Sequence, residues 1–175
     1  MQLLVAGRTD LLMGYQLSSV KAVSEGLPVV TVAAVFQKDP QAIIAHPNIK
    51  SLQELADKKI PVYLSASAYS KVFLSWLKAK YGFSHDQGRP YTFSVAPFLA
   101  NPNVAQQGYI TSEPYAIEKG GIKPSIFLMA DDGYIPYAET IETTRQMLKD
   151  RPDVVNALYS HHGRLGKLYE KSGTG

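Results

Sequence analysis

Cysteine is absent from the 175 residues. That single absence excludes disulfides, zinc–thiolate centres, iron–sulfur clusters and thiol nucleophiles together. It leaves the redox compartment open, since a chain without thiols suits reducing and oxidising surroundings alike. No apolar run approaches the roughly 20 residues needed to span a bilayer. An excess of charge is missing too: 18 basic residues against 15 acidic ones give a net charge of +3, with no block of one sign. A nucleic-acid-binding arm is therefore not expected, and no nucleic acid is counted among the partners. A phosphate-binding loop, Gly-x-Gly-x-x-Gly, a Gly-x-Ser-x-Gly elbow and His-Glu-x-x-His are all lacking. His161 and His162 are adjacent, so on a helix they diverge by about 100° and cannot chelate one ion. They are expected on the surface, and no catalytic residue, metal or cofactor is expected anywhere. The opening Met1-Gln2-Leu3-Leu4-Val5-Ala6 lacks the basic segment and full apolar stretch of a secretory signal.

What is present is an ordinary globular composition, 45% hydrophobic and 19% charged, enough to bury a core. Residues 2–6 read as the last turns of a helix closed by Gly7. Residues 9–15 read as a strand, 16–26 as a helix stopped by Gly26, and 27–36, rich in β-branched residues without alternation, as a strand covered on both faces. A further strand is expected at 41–47 and a short helix at 51–58, with Ser51 as cap and Glu54 completing a capping box. Residues 59–83 give a strand, a Ser/Ala-rich turn, and a helix whose apolar residues are Val72, Phe73, Trp76, Leu77 and Ala79. Alternation suggests a strand at 91–97, then a short helix or turn at 101–108 and a strand at 109–112. A helix opening on Pro114 follows, then a strand at 124–130. A last helix starts near Thr144, and Pro152 must break or restart it. This order predicts an α/β fold with two alternating units, joined near residues 57–61 and again near 130–140, with a ligand cleft between them.

Several polar residues fall where apolar strands end, the edge at which α/β proteins bind small molecules. In 64–70, Ser65, Ser67, Tyr69 and Ser70 surround a helix start whose free N–H groups suit an anionic or amide-bearing ligand; an ordinary serine cap reads equally well. Tyr15 and Gln16 have the same placement, as do Phe36 and Gln37. Asp131, Asp132, Tyr134 and Tyr137 lie in a loop where the chain is expected to cross back. Glu113 stands directly before Pro114, ahead of Tyr115. Of 11 tyrosines, five (15, 69, 115, 134, 137) sit at such ends, offering flat apolar faces with one polar tip.

The blocks "LLVAGRTDLLMGY", "AVSEGLPVVTVAAVFQKDPQAIIAHP" and "IKSLQELADKKIPV", followed by "QQGYITSEPYAIEKGG" and "LMADDGYIPYAETIETT", resemble the solute-binding proteins of ABC importers for nitrate, sulfonates, taurine and thiamine pyrimidine precursors. The resemblance covers residues 2 to about 158. It implies a type 2 periplasmic binding fold, two α/β lobes with two crossovers closing on ligand by hinge motion. The implied lobes are 1–59 plus 131–175, and 60–130. The implied ligand-facing residues are Tyr15, Gln16, Phe36, Gln37, Ser65, Ser67, Tyr69, Glu113, Tyr115, Asp131 and Tyr134, with Glu113 facing Ser65 and Ser67 across the cleft. A carboxylate there favours a heterocycle with N–H donors over nitrate or sulfonate, which it repels.

The family pattern also begins with an export signal, a strand, a helix and a second strand, about 60 residues by the length of such units. The first lobe is therefore expected to be incomplete, with strand edges that a second copy covers. By resemblance the partners are a small-molecule ligand and an ABC permease, and the location is periplasmic or extracytoplasmic. Three alternatives follow from the same likeness. One is a sulfonate, taurine or nitrate binder. Another is a pyrimidine-precursor biosynthetic enzyme, whose resemblance depends on a cysteine-rich segment missing here. The third is the ligand-sensing domain of a transcription regulator, which lacks its helix-turn-helix.

Overall fold

The computed structural model describes residues 1–65 and 68–160, the side chains of 68–71 excepted. Ser67, the side chains of Tyr69 and Ser70, and the His161-His162 pair therefore lie outside the described residues. The chain divides into two compact units, Met1–Gln37 with Tyr137–Gly175, and Lys38–Pro136. It passes between them twice, at 37/38 and 136/137, rather than at 59/60 and 130/131.

The division falls earlier because of one strand. β3 (Gln41–Ala45) pairs along its length with β6 (Ala105–Tyr109) and β7 (Ser125–Leu128), antiparallel to both. All five of its residues are buried, so it belongs to the second unit's sheet and takes α3 (Leu52–Asp57) with it. The expected strand at 41–47 is therefore present, in the other lobe. The cap is present but the box is not closed: Ser51 Oγ accepts from the Glu54 N–H at 3.1 Å, while the Glu54 carboxylate accepts from the Lys50 N–H at 2.7 Å, one residue before the cap.

In the second unit the strand order is β5-β4-β6-β3-β7, with β4 at Val62–Leu64 and β5 at Gly88–Pro90. β4 runs parallel to both β5 and β6. α4 (Ala68–Tyr81) connects β4 to β5, burying Phe73 and Leu77 one turn apart, and Gly82 at φ +76° follows its end. Val72 and Ala79, expected on the same apolar face, are exposed. On the opposite face of the sheet, Ile44 packs with Phe98, Val104 and Ile117, bringing in α5 (Ala96–Ala100) and α6 (Glu113–Lys119).

Two strand expectations move. Residues 91–97 form no strand: only the Tyr91 N–H joins the ladder, donating to the Leu64 carbonyl at 2.9 Å. Phe93 then takes φ +58°, and Val95, the cap residue of α5, and Phe98 within it reach the core instead. The strand expected at 109–112 lies at Ala105–Tyr109, followed by a turn in which the Ser112 N–H meets the Tyr109 carbonyl at 3.0 Å. Its two glutamines had hidden it.

The first unit carries a three-stranded sheet, β1-β8-β2, from Leu12–Gly14, Ala138–Thr144 and Val29–Phe36. β8, whose residues the family resemblance assigns to the return crossover, is central and antiparallel to both neighbours. A bulge in β2 falls between Thr31 and Ala33, and the freed Val32 carbonyl accepts from the Tyr159 hydroxyl. α1 (Gln2–Val5) and α2 (Gln16–Ser24) pack Leu4 and Ala22 on Val29. α7 (Arg145–Asp150) is capped by Thr144 Oγ1, which accepts from the Met147 N–H at 3.0 Å. Pro152 restarts the helix, which runs over 152–160, since a residue before proline is held out of the helical region.

Candidate functional site

In the second unit the connection from β4 leads to β5 on one side, and the next leads to β6 on the other. The carboxyl ends of β4 and β6 therefore form a topological switch point, where open α/β sheets leave a crevice. Ser65 follows β4, Tyr91 follows β5, and Glu113 follows the turn after β6. Glu113 and Ser65 thus stand at neighbouring strand ends of one sheet, rather than facing each other across a cleft. α4 begins three residues after Ser65, at the same edge.

Glu113 is engaged on both oxygens. Oε2 accepts from the Tyr109 N–H at 2.8 Å and Oε1 from the Tyr91 hydroxyl at 3.2 Å. Gly108 makes room for it, since a Cβ there would lie 3.0 Å from Glu113 Cβ and 2.6 Å from Ile44 Cδ1. Burial, and then the charge and hydrogen bond of Glu113, push the Tyr91 phenol far above its ordinary value. On the other face, a buried line of side chains crosses three strands. Gln107 Nε2 donates to Gln41 Oε1 at 3.1 Å, while Gln107 Oε1 accepts from the Ser65 N–H at 3.1 Å. Asp39, fully buried, caps the turn by accepting from the Gln41 N–H at 2.9 Å.

The remaining expected residues of this unit lie elsewhere. Tyr134 is 4% exposed and packs edge-on against Phe73 and Trp76, at 5.6 and 5.4 Å between ring centroids; it is a core residue. Tyr115 is 65% exposed, its ring under the Lys119 ammonium at 4.9 Å. Asp131 is exposed and ion-paired with Lys38. Neighbouring Asp132 accepts from the Tyr81 hydroxyl at 2.6 Å, and burial followed by that bond raises the Tyr81 pKa strongly.

In the first unit, Gln16 and Phe36 flank the start of β8. Gln16 Oε1 accepts from the Tyr137 N–H at 2.9 Å, and Phe36 pairs with Ala138. Tyr15 follows β1 as the cap residue of α2, and Gln37 is exposed at the unit boundary. Below them lies a carboxylate the sequence reading missed. Glu142 is fully buried, and its Oε1 accepts from Ser19 and Thr140, both at 2.5 Å. The β-branched run around it in "AETIETT" was the available signal.

Cavities of about 400 and 270 Å³ lie in this unit, the first lined by Leu4, Asp10, Met147 and Arg151, the second by Gln16, Ser19, Val23 and Thr31. Among the described residues no three His, Cys, Asp or Glu side chains converge as metal ligands, and no helix is long and apolar enough to cross a membrane.

The family described as NMT1/THI5 like matches residues 1–162. The chain belongs to that family. No curated protein sequence matches it. Among solved structures, the periplasmic aliphatic sulphonate binding protein SsuA of Escherichia coli superposes with a TM-score of 0.63 at 15% identity, covering 91% of this chain and 55% of that one. The alkanesulfonate-binding SsuA of Xanthomonas axonopodis pv. citri, bound to MOPS, gives 0.60 at 16% over 98% and 64%. An ABC uptake transporter substrate binding protein of Streptococcus pneumoniae with bound histidine gives 0.63 at 15% over 97% and 68%. The chain spans about half the length of the first of these relatives, and at such identities the likeness establishes the fold. That fold is the α/β periplasmic-binding type expected from the sequence.

Proposed function

We propose that the chain is the solute-binding part of an ABC importer, working outside the cytoplasm and delivering a small molecule to a membrane permease. The observation that carries this reading is the convergence of Ser65, Tyr91 and Glu113 on the carboxyl edge of three neighbouring parallel strands at the switch point between β4 and β6. Family membership over residues 1–162 supports it. The edge supplies a serine hydroxyl, a phenol and a carboxylate, which suit hydrogen bonding of a compact polar solute.

The ligand we favour is a small heterocycle with N–H donors, such as a thiamine pyrimidine precursor. Glu113 already accepts one N–H and one O–H donor, and its negative charge disfavours nitrate or a sulfonate at the same edge. A sulfonate is the second reading, favoured by the sulfonate-binding proteins among the structural relatives.

A thermal-shift screen with pyrimidines, flavins, taurine, alkyl sulfonates and nitrate tests both, because a ligand that binds only the native state raises the melting temperature. The largest shift is expected from a pyrimidine. A larger shift with a sulfonate would replace the heterocycle reading, and a folded sample that responds to none would overturn the solute-binding reading.

A further inference from the structure

Behind the Tyr91–Glu113 hydrogen bond lies a side chain that the fold leaves unsatisfied. Gln106, on β6, is fully buried, and neither end of its carboxamide completes a hydrogen bond of normal geometry. It points to the same face as Gly108 and Glu113, since residues two apart on a strand share a face. The Tyr91 hydroxyl gives its proton to Glu113 Oε1 at 3.2 Å, and its oxygen faces Gln106 Nε2–H as an acceptor short of normal hydrogen-bond geometry, which leaves Gln106 Oε1 as the end without a donor. Native interiors pair their buried polar groups, and a carboxamide left over is a cost that function or an absent partner explains.

The segment beside it is equally unusual. Phe93 is 78% exposed at φ +58°, a conformation bulky residues rarely adopt. Its ring lies 5.2 Å from that of Tyr91 at a tilt of 49°. An exposed aromatic face, a phenol whose one hydrogen bond of normal geometry goes to Glu113, and a buried carboxamide whose oxygen lacks a donor thus adjoin one another at the switch point.

We propose that the Tyr91–Glu113 hydrogen bond is a latch over Gln106, opened by a ligand that carries a carboxamide-like donor–acceptor edge on a flat ring. The ring takes the place of Tyr91 against Phe93. The ligand N–H donates to Gln106 Oε1, its acceptor receives Gln106 Nε2–H, and the freed Glu113 Oε1 takes a further donor. This rests on the solute-binding reading and adds to it the residues that select the ligand.

The test uses the full chain with benzamide as probe and benzoate, which lacks the N–H donors, as its control, both followed by saturation-transfer NMR. Benzamide is expected to bind more tightly than benzoate. Gln106→Leu is expected to weaken benzamide about a hundredfold, the size of two lost buried hydrogen bonds. Its melting temperature should stay level or rise, because an unpaired amide has been replaced by an apolar group of similar size. Tyr91→Phe keeps the ring, removes the latch, and is expected to tighten benzamide several-fold as the competent state becomes more populated. Equal binding of benzamide and benzoate, unchanged benzamide binding in Gln106→Leu, or a lowered melting temperature for that variant would each overturn the latch. A thermal shift with taurine or a pyrimidine while benzamide binds nowhere overturns the latch and leaves the solute-binding reading standing. No shift with any of these overturns both.

Discussion

Glu113 shows how a residue's place in the chain and its task in the fold come apart. Its position before Pro114, just after a strand, marks it as a ligand group, yet both of its oxygens are held by Tyr109 and Tyr91. Glu113→Gln puts an amide donor where two donors already point, and is expected to cost about 1–3 kcal/mol, the penalty of leaving such a group unsatisfied. Urea denaturation measures it. The tyrosines make a second residue-scale prediction. Tyr91 and Tyr81 both have phenol pKa values raised in the fold, mainly by burial, whereas an unfolded tyrosine titrates near 10. The folded state therefore keeps protons that the unfolded state gives up. The stability this confers is complete below about pH 10 and is lost as pH rises above it. A melting temperature that stays level up to about pH 9 and falls beyond about pH 10 is expected, with a shallower fall in Tyr91→Phe and Tyr81→Phe.

At the scale of elements, most helices and their caps were legible. Ser51 and Glu54 announce α3 because a cap is a local device, its donors and acceptors within four residues of each other. Ser51→Ala is expected to lower stability by about 1 kcal/mol, readable in the same denaturation series. Strands were less legible, and for particular reasons. β6 carries Gln106 and Gln107, polar residues that break an apolar run although both are buried, so its position depends on pairing with β3 and β4. Residues 91–97 alternate as a strand does but have no neighbour beyond Tyr91 to pair with. β8 was passed over because its centre holds Glu142 between threonines, and only the hydroxyls of Ser19 and Thr140 make that burial tolerable. The packing of β6 against α6 is tight enough to test. Gly108→Ala places a methyl group 2.6 Å from Ile44 Cδ1 and 3.0 Å from Glu113 Cβ, and is expected to cost about 1–3 kcal/mol as overpacking does.

For the whole molecule, the second unit is one continuous stretch, Lys38–Pro136, with its own five-stranded sheet and its own apolar cluster around Ile44, Phe98, Val104 and Ile117. Expressed alone, residues 38–136 are expected to unfold cooperatively, since a domain that size with a closed set of contacts can fold by itself. Loss of a sharp thermal transition in that segment would show that it depends on the rest. The first unit is built from two separated stretches, its central β8 coming from the far end of the chain, and no single excised segment reproduces it.

The sequence by itself determined the α/β class, the order of most helices, the lack of thiol chemistry and the family, because these depend on composition, on local periodicity and on short blocks of neighbouring residues. Only the tertiary structure decided that β3 joins the second unit, that Tyr134 is core, that Ser65 and Glu113 share one sheet edge, and that Tyr91 hydrogen-bonds Glu113. Each of these depends on which strand lies beside which. Pairing across a sheet is set by contacts between residues far apart in the chain, and no local pattern encodes them.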